Sequence, residues 1–162
     1  MSRCLRFLPF LIGCSTGPLD LPNACEAGAP VSHLAMGDGD YRHVEDGADI
    51  ECGIPPQGGA PYTPFQIRIA GLDQNKEGLT VSMESIDMET GELLGTANYV
   101  QSFICSNAGE NKGFYVTSEF HMRYPDRSLD DLDGREAEVV IEATNSDGES
   151  VIGSFIGWMN SP

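Results

Sequence analysis

The sequence predicts an all-β protein, a single antiparallel β-sandwich of about seven or eight strands behind a disordered N-terminal tether. Three observations predict it. Apolar and polar residues alternate with period two in run after run, and many apolar positions are β-branched or aromatic, as half-buried strands require. Turn pairs separate the runs: Asp46-Gly47, Thr90-Gly91, Asp133-Gly134 and Asp147-Gly148, with glycine supplying φ > 0. No segment carries a sustained 3.6-residue period, and Ser128–Leu132 suits a single helical turn. Short strands at such spacing belong to a sandwich.

The chain begins as a leader, residues 1–13. Arg3 and Arg6 open it, Phe7, Leu8, Phe10, Leu11 and Ile12 form an apolar core, and Gly13 is the small residue before Cys14. Charge, short apolar run and small residue occur in the order of a secretory signal. The run is too short for a membrane-spanning helix, which needs about 20 apolar residues. The ending Leu11-Ile12-Gly13-Cys14 resembles the lipobox of bacterial lipoproteins. That resemblance implies cleavage after Gly13, lipidation of Cys14 and a place in the bacterial cell envelope. Ser15 after the cysteine is compatible with an outer-membrane or surface address under enterobacterial sorting. Residues 14–37 are rich in Gly, Pro, Ala and Ser without periodicity and read as the lipidated cysteine and its flexible tether.

The domain proper is read as 38–162. A first strand is expected near Tyr41–Glu45. Ile50, Cys52 and Ile54 alternate with polar or small residues, as do Phe65, Ile67 and Ile69, then Leu79, Val81 and Met83. A strand is expected near Asn98–Ile104. Phe114, Val116, Ser118, Phe120 and Met122 share one face, and Ala137, Val139 and Ile141 another. Asn145-Ser146-Asp147-Gly148 reads as a hairpin turn. Ser150–Trp158 is apolar on both faces, which suits a central position. Pro56-Gln57-Gly58-Gly59 reads as a turn, since Pro presets φ and two glycines allow a sharp reversal.

Net charge is -16, and loss of Arg3 and Arg6 with the leader takes it to -18. Such a chain repels nucleic acid and anionic headgroups. Nucleic-acid binding is therefore excluded, and lipid is the means of holding the protein at a membrane. Of five cysteines, Cys4 leaves with the leader and Cys14 takes the lipid. Cys25, Cys52 and Cys105 remain, in a compartment that favours disulfides. The expected pair is Cys52–Cys105, because both lie in strand-like sequence. Cys25 then either caps the tail onto the domain or cross-links outside it.

Asp126, Asp130, Asp131 and Asp133 are candidate ligands for Ca²⁺, a hard cation held by oxygen. Neither they nor Asp38, Asp40, Asp46 and Asp49 follow the EF-hand spacing, because Arg42 and Arg135 fall at the fifth positions. Solvated loop acids are the favoured reading, so no cofactor is expected. His33, His43 and His121 with Met36 and Met122 are soft copper ligands by type, but no compact spacing joins them. There is no Gly-x-Ser-x-Gly elbow, no His-Glu-x-x-His and no phosphate loop. Pairing Cys105 with a distant histidine as a nucleophile is weaker than its reading as a disulfide half. Enzymatic function therefore has no residue to rest on.

Residues 38–158 resemble a group of secreted or lipid-anchored proteins of myxobacteria and their relatives. The carrying residues are Val44–Ile50, Pro56-Gln57-Gly58-Gly59, Ala70-Gly71-Leu72, Met88–Gly95, Leu132-Asp133-Gly134-Arg135 and Asn145–Gly148. Ile54-Pro55 stands where the group has Gly, and Ala60-Pro61-Tyr62 where a His follows. The resemblance implies an immunoglobulin-like sandwich and supplies no activity. The expected function is that of a lipid-tethered, non-catalytic binding or structural module of the envelope. Its partner would be an envelope or surface protein, with Gly53–Tyr62 and Ser106–Lys112 as contact loops. The alternative is a cation-binding envelope protein.

Overall fold

The computed structural model of the chain describes residues 33–37, 44–72, 78–106, 114–116 and 120–161. Among the described residues the strands and one helical turn occur in the order β1 (His33–Gly37), β2 (Ala48–Glu51), β3 (Tyr62–Ala70), β4 (Leu79–Asp87), β5 (Leu93–Gln101), β6 (Ile104–Cys105), β7 (Tyr115–Val116), β8 (Phe120–Arg123), α1 (Leu129–Leu132), β9 (Glu136–Thr144) and β10 (Ser150–Asn160). One layer runs β2-β10-β9-β4-β5 and the other β1-β3-β7-β6. Strand β8 joins them, pairing with β3 over Tyr62–Phe65 and with β5 at Thr96. All ladders are antiparallel except that of β2 with β10. This is the all-β sandwich expected, in the strand order of an immunoglobulin variable-type domain: β10, β9, β4 and β5 stand for G, F, C and C′, and β1, β3, β7 and β6 for A, B, E and D.

The alternation read in the sequence is the alternation of burial. Ile67 and Ile69 of β3, Leu79, Val81 and Met83 of β4, and Ala137, Val139, Ile141 and Ala143 of β9 point into one core. Val151, Phe155 and Met159 of β10 complete it. The layers interlock through rings: Phe65 meets Phe155 edge-on with centroids 6.0 Å apart, and Tyr99 lies 5.1 Å from Phe120. No disulfide joins the B and F equivalents. Ile67 and Ile69 face the core from β3, and Val139 and Ile141 from β9.

Strand β10, paired with β9, is flanked by β2 only along Gly157–Asn160; its outer face is not covered, with Ile152 and Trp158 exposed, so its two apolar faces do not make it a central strand buried on both sides. The Asn145–Gly148 hairpin forms, with Gly148 at φ 83° and the Asn145 Oδ1 accepting from the Asp147 and Glu149 amides. The single turn at Ser128–Leu132 also forms. Ser128 caps it in a reciprocal capping box with Asp131, which satisfies two orphan amides.

Several boundaries differ. Residues 41–43 of the expected first strand lie outside the described residues, Val44 and Glu45 are not in a strand, and pairing starts at Ala48. Strand β1 falls inside the segment read as tether. It pairs with β3 from His33↔Ala70 to Gly37↔Gln66, so the domain starts before residue 38. Leu34 and Met36 carried the alternation, but Gly- and Pro-rich flanks hid it. Strand β5 begins at Leu93 rather than near Asn98. A register shift opposite Ser85 and Ile86 interrupts its pairing with β4, leaving Leu93 exposed while Leu94 and Gly95 are buried. Such a bulge breaks period two locally, which is why the run was unreadable. Of the Phe114–Met122 run, the pieces described as β7 and β8 both pair with β3, and residues 117–119 between them lie outside the described residues.

Asp87 anchors the β4–β5 turn. It is buried, and its Oδ1 accepts from the Glu89 amide (3.0 Å), the Thr90 amide (2.7 Å) and the Thr90 hydroxyl (2.9 Å). Its Oδ2 accepts from Arg135 Nη1 at 2.8 Å, and Arg135 Nε donates to the Asp131 carbonyl of α1. The turn, the start of β9 and α1 are thus held by one carboxylate. The Thr90 amide and the Arg135 guanidinium bring its pKa down to about 2.

Asp87→Asn removes the charge and the Arg135 ion pair, and is expected to cost about 2–3 kcal/mol at neutral pH, since hydrogen bonds to charged groups contribute on that scale. Because the folded pKa lies below the ordinary value of 3.8, the stabilisation is complete above that value and is lost as pH falls towards about 2. Urea unfolding at pH 7, 4 and 2.5 checks this: the gap between wild type and variant should close across the lower two. In a separate test, Gly95→Ala places a Cβ 2.5 Å from the Tyr124 ring and 2.6 Å from the Arg123 carbonyl. It should lower stability by about 1–3 kcal/mol in the same assay.

Candidate functional site

The cleft lies where the two layers meet beside β2. After Glu51 the chain leaves β10 and crosses to β3. The Gly53 amide donates to the Tyr62 carbonyl and the Tyr62 amide to the Gly53 carbonyl, both at 2.9 Å. The loop between them turns at Pro55–Gly58, where the Gly58 amide donates to the Pro55 carbonyl at 2.7 Å, and Gly58 and Gly59 take φ of 80° and 120°. The Pro-Gln-Gly-Gly segment is therefore the turn expected of it. Between β2, β3 and the end of β10 a cleft of about 480 Å³ opens, lined by Asp49, Glu51, Cys52, Gly53, Tyr62, Pro64, Asn160 and Ser161.

The lining contains two carboxylates and no cationic side chain. Asp49 and Glu51 are two apart on β2, so both point outward from the same face; both are exposed. The Tyr62 ring stacks at a tilt on His121, centroids 4.7 Å apart. Pro64 has no amide to offer along this edge. Such a cleft favours groups that donate hydrogen bonds or carry positive charge.

Cys52 closes the cleft from below and is buried. Its thiol is free, 3.5 Å from Thr63 Oγ1 and 3.7 Å from the Ile50 carbonyl oxygen. Thr63 Oγ1 is in turn 3.1 Å from the hydroxyl of the fully buried Tyr124. Burial pushes the Cys52 pKa up, with a smaller contribution in the same direction from Asp133, against the hydrogen bonds from Thr63 and Asn160 that lower it. Burial likewise raises the Tyr124 pKa. Both groups stay protonated at neutral pH, so Cys52 is an interior thiol and not an activated nucleophile.

The expected Cys52–Cys105 bridge does not form. Cys52 is free, while Cys105 of β6 is disulfide-bonded to a cysteine outside the described residues. The reason is position. Cys52 is committed to the interior at the β2–β3 crossing, whereas Cys105 is partly exposed on β6, at the other end of the strand order. Strand-like sequence placed each in a strand region and could not say which.

The four candidate calcium ligands are not brought together. Asp126 and Asp130 are exposed. Asp131 accepts from the Ser128 amide and hydroxyl, which hold its pKa below the usual carboxylate range. Asp133 Oδ1 accepts from the Ser161 amide at 2.9 Å and hydroxyl at 3.1 Å. Among the described residues no three His, Cys, Asp or Glu side chains are grouped to hold a metal ion. Met122 is core. Cys14 and residues 107–112 of the second contact loop lie outside the described residues. Among the described residues no helix is long and apolar enough to cross a membrane. Sequence reasoning named Gly53–Tyr62 as a contact loop and weighed Asp49 among the loop acids, but missed Glu51 and Asn160. The missed residues belong to strands whose parallel pairing carries no sequence signal.

No family model and no curated protein matches the chain. Among solved structures the chain is similar to murine CRIg, at 11% identity over 80% of this chain and 98% of that one, with a TM-score of 0.36.

Native Cys52 should react with a thiol reagent such as 5,5′-dithiobis(2-nitrobenzoate) at least 100-fold more slowly than in urea, because access and ionisation are both suppressed. Rapid native labelling of Cys52 would contradict the burial described above.

Proposed function

We propose that the chain is a lipid-anchored β-sandwich of the bacterial cell envelope, acting as a non-catalytic binding or structural accessory module. The observation that carries the binding role is the cleft beside β2. It is bordered by a loop end, faces two carboxylates outward and holds its only thiol protonated. Loops set on a rigid sandwich are where such domains place their contacts. The anchor is supported by the order of charge, apolar core and small residue before Cys14, and by a net charge that offers anionic headgroups no attraction. Two or more acyl chains hold a protein stably where one does not. The tether and the sandwich then present the cleft to an envelope or surface protein carrying basic side chains.

Expression in a lipoprotein-competent host tests the anchor. The intact mass should correspond to a chain starting at Cys14 with diacylglyceryl and N-acyl groups, and Cys14→Ala should leave the membrane fraction. An unmodified mass, or a variant that still partitions to membrane, counts against it. The cleft is tested separately by chemical cross-linking in intact envelopes. Asp49→Asn with Glu51→Gln should reduce the yield of the wild-type adduct at least tenfold, while the melting temperature stays within about 2 °C, as for exposed surface changes.

A further inference from the structure

We infer that the outer face of the β10-β9-β4-β5 layer docks a second protein through a surface that sets basic side chains among apolar ones. The residues that carry it lie outside the cleft lining, so it goes beyond the reading above. The ladders lay the face out in rows. Ile156 of β10, Glu138 of β9, Ile86 of β4 and Leu93 of β5 stand opposite one another. In the row to one side, Ser154 faces Val140 and Val140 faces Glu84. In the row to the other side, Trp158 faces Glu136, and the Glu136 carbonyl accepts from the Met88 amide just past β4. Opposed residues share a face, and their chain neighbours Phe155, Val139 and Ser85 are buried, so these rows point outward. Glu136 and Glu138 thus form an acidic column between the apolar column of Trp158 and Ile156 and that of Met88 and Ile86. Adjacent strands lie about 4.8 Å apart, so each carboxylate has an apolar side chain beside it on both sides.

Charge selects the occupant. None of these positions is Lys or Arg, and among the described residues the ion pairs are made elsewhere, by Glu92 and Asp87. A second copy of the chain would set Glu84, Glu136 and Glu138 against the same carboxylates, an arrangement that like charge disfavours. Anionic lipid is repelled for the same reason. A basic protein surface satisfies both components of the face. The methylene stems of Lys and Arg lie along apolar surface while their charged heads reach the glutamates. An Arg guanidinium also stacks on an indole, and Trp158 is 46% exposed. Apolar side chains of the same partner cover Ile86 and Leu93. Trp158 stands opposite Asp49 of β2, so the face runs up to the border of the cleft without including it.

Trp158 is the sole tryptophan of the chain, so its fluorescence reports on this face directly. The probe is a tryptophan-free amphipathic peptide of arginine and leucine, titrated into the full chain. A saturable blue shift of the Trp158 emission is expected. Glu136→Gln with Glu138→Gln should weaken binding at least tenfold, and so should replacement of the peptide's leucines by serine. Asp49→Asn with Glu51→Gln should leave the affinity within about threefold, as for a surface outside the contact. No shift at millimolar peptide, equal binding by the Glu136/Glu138 variant, or equal binding of the serine peptide overturns the inference. So does sedimentation equilibrium that shows a dimer with a blue-shifted Trp158 before any peptide is added, since the face then pairs with its own copy. Loss of binding in the Asp49/Glu51 variant but not in the Glu136/Glu138 variant assigns the peptide to the cleft and overturns it too. The cleft reading fails separately, if its cross-linked adduct survives Asp49→Asn with Glu51→Gln.

Discussion

The constraint on which the rest depends is that two sheet layers are closed on each other by apolar side chains, with no cross-link between β3 and β9. Where an immunoglobulin-type domain can place a disulfide between B and F strands, this chain places Ile67, Ile69, Val139 and Ile141. Their packing must therefore be specific. A one-residue slip in any ladder would turn an inner face outward. The Glu-rich outer positions of β9, Glu136, Glu138 and Glu142, make that slip costly, because a buried unpaired carboxylate is far less favourable than a solvated one. Register and core are thus one property of this sequence.

Within that core the exceptions are at the junctions. Tyr124, Thr63 and Cys52 form a short polar line through the region where β8, β3 and β2 approach. Gly95 lets the β5 backbone press against the Tyr124 ring, and Gly157 lets Ala48 and Ile50 of β2 come close to β10. The close approach at Gly157 is what allows β2 to join β10 before it crosses to β3. That crossing opens the cleft. The candidate site is thus a by-product of strand exchange between layers, positioned by backbone contacts and bordered by whatever side chains β2 presents outward.

Polar fixation operates two strands away at the same end of the sheet, where Asp87 is level with Ala137 of β9 and Gly157 of β10. Asp87 holds the β4–β5 turn, the start of β9 and α1 together. The charge of the chain is then distributed asymmetrically in role. Asp87 and Asp131 are structural, while Asp49 and Glu51 remain available to solvent and to a partner.

The sequence by itself determined the fold class, the alternating faces of β3, β4 and β9, the hairpin at Asn145–Gly148 and the helical turn capped by Ser128. Each is local: period two, a turn residue or a capping pattern acts over a few neighbours. Only the tertiary structure decided that β1 pairs with β3, that β5 bulges at Leu94, and that the four aspartates near α1 stand apart. It also decided that Asp49, Glu51 and Asn160 meet across a parallel ladder, and that Cys52 is an interior thiol while Cys105 is oxidised. These depend on which strands become neighbours. Neighbours distant in sequence are chosen by packing of the whole core, a property that no window of residues contains.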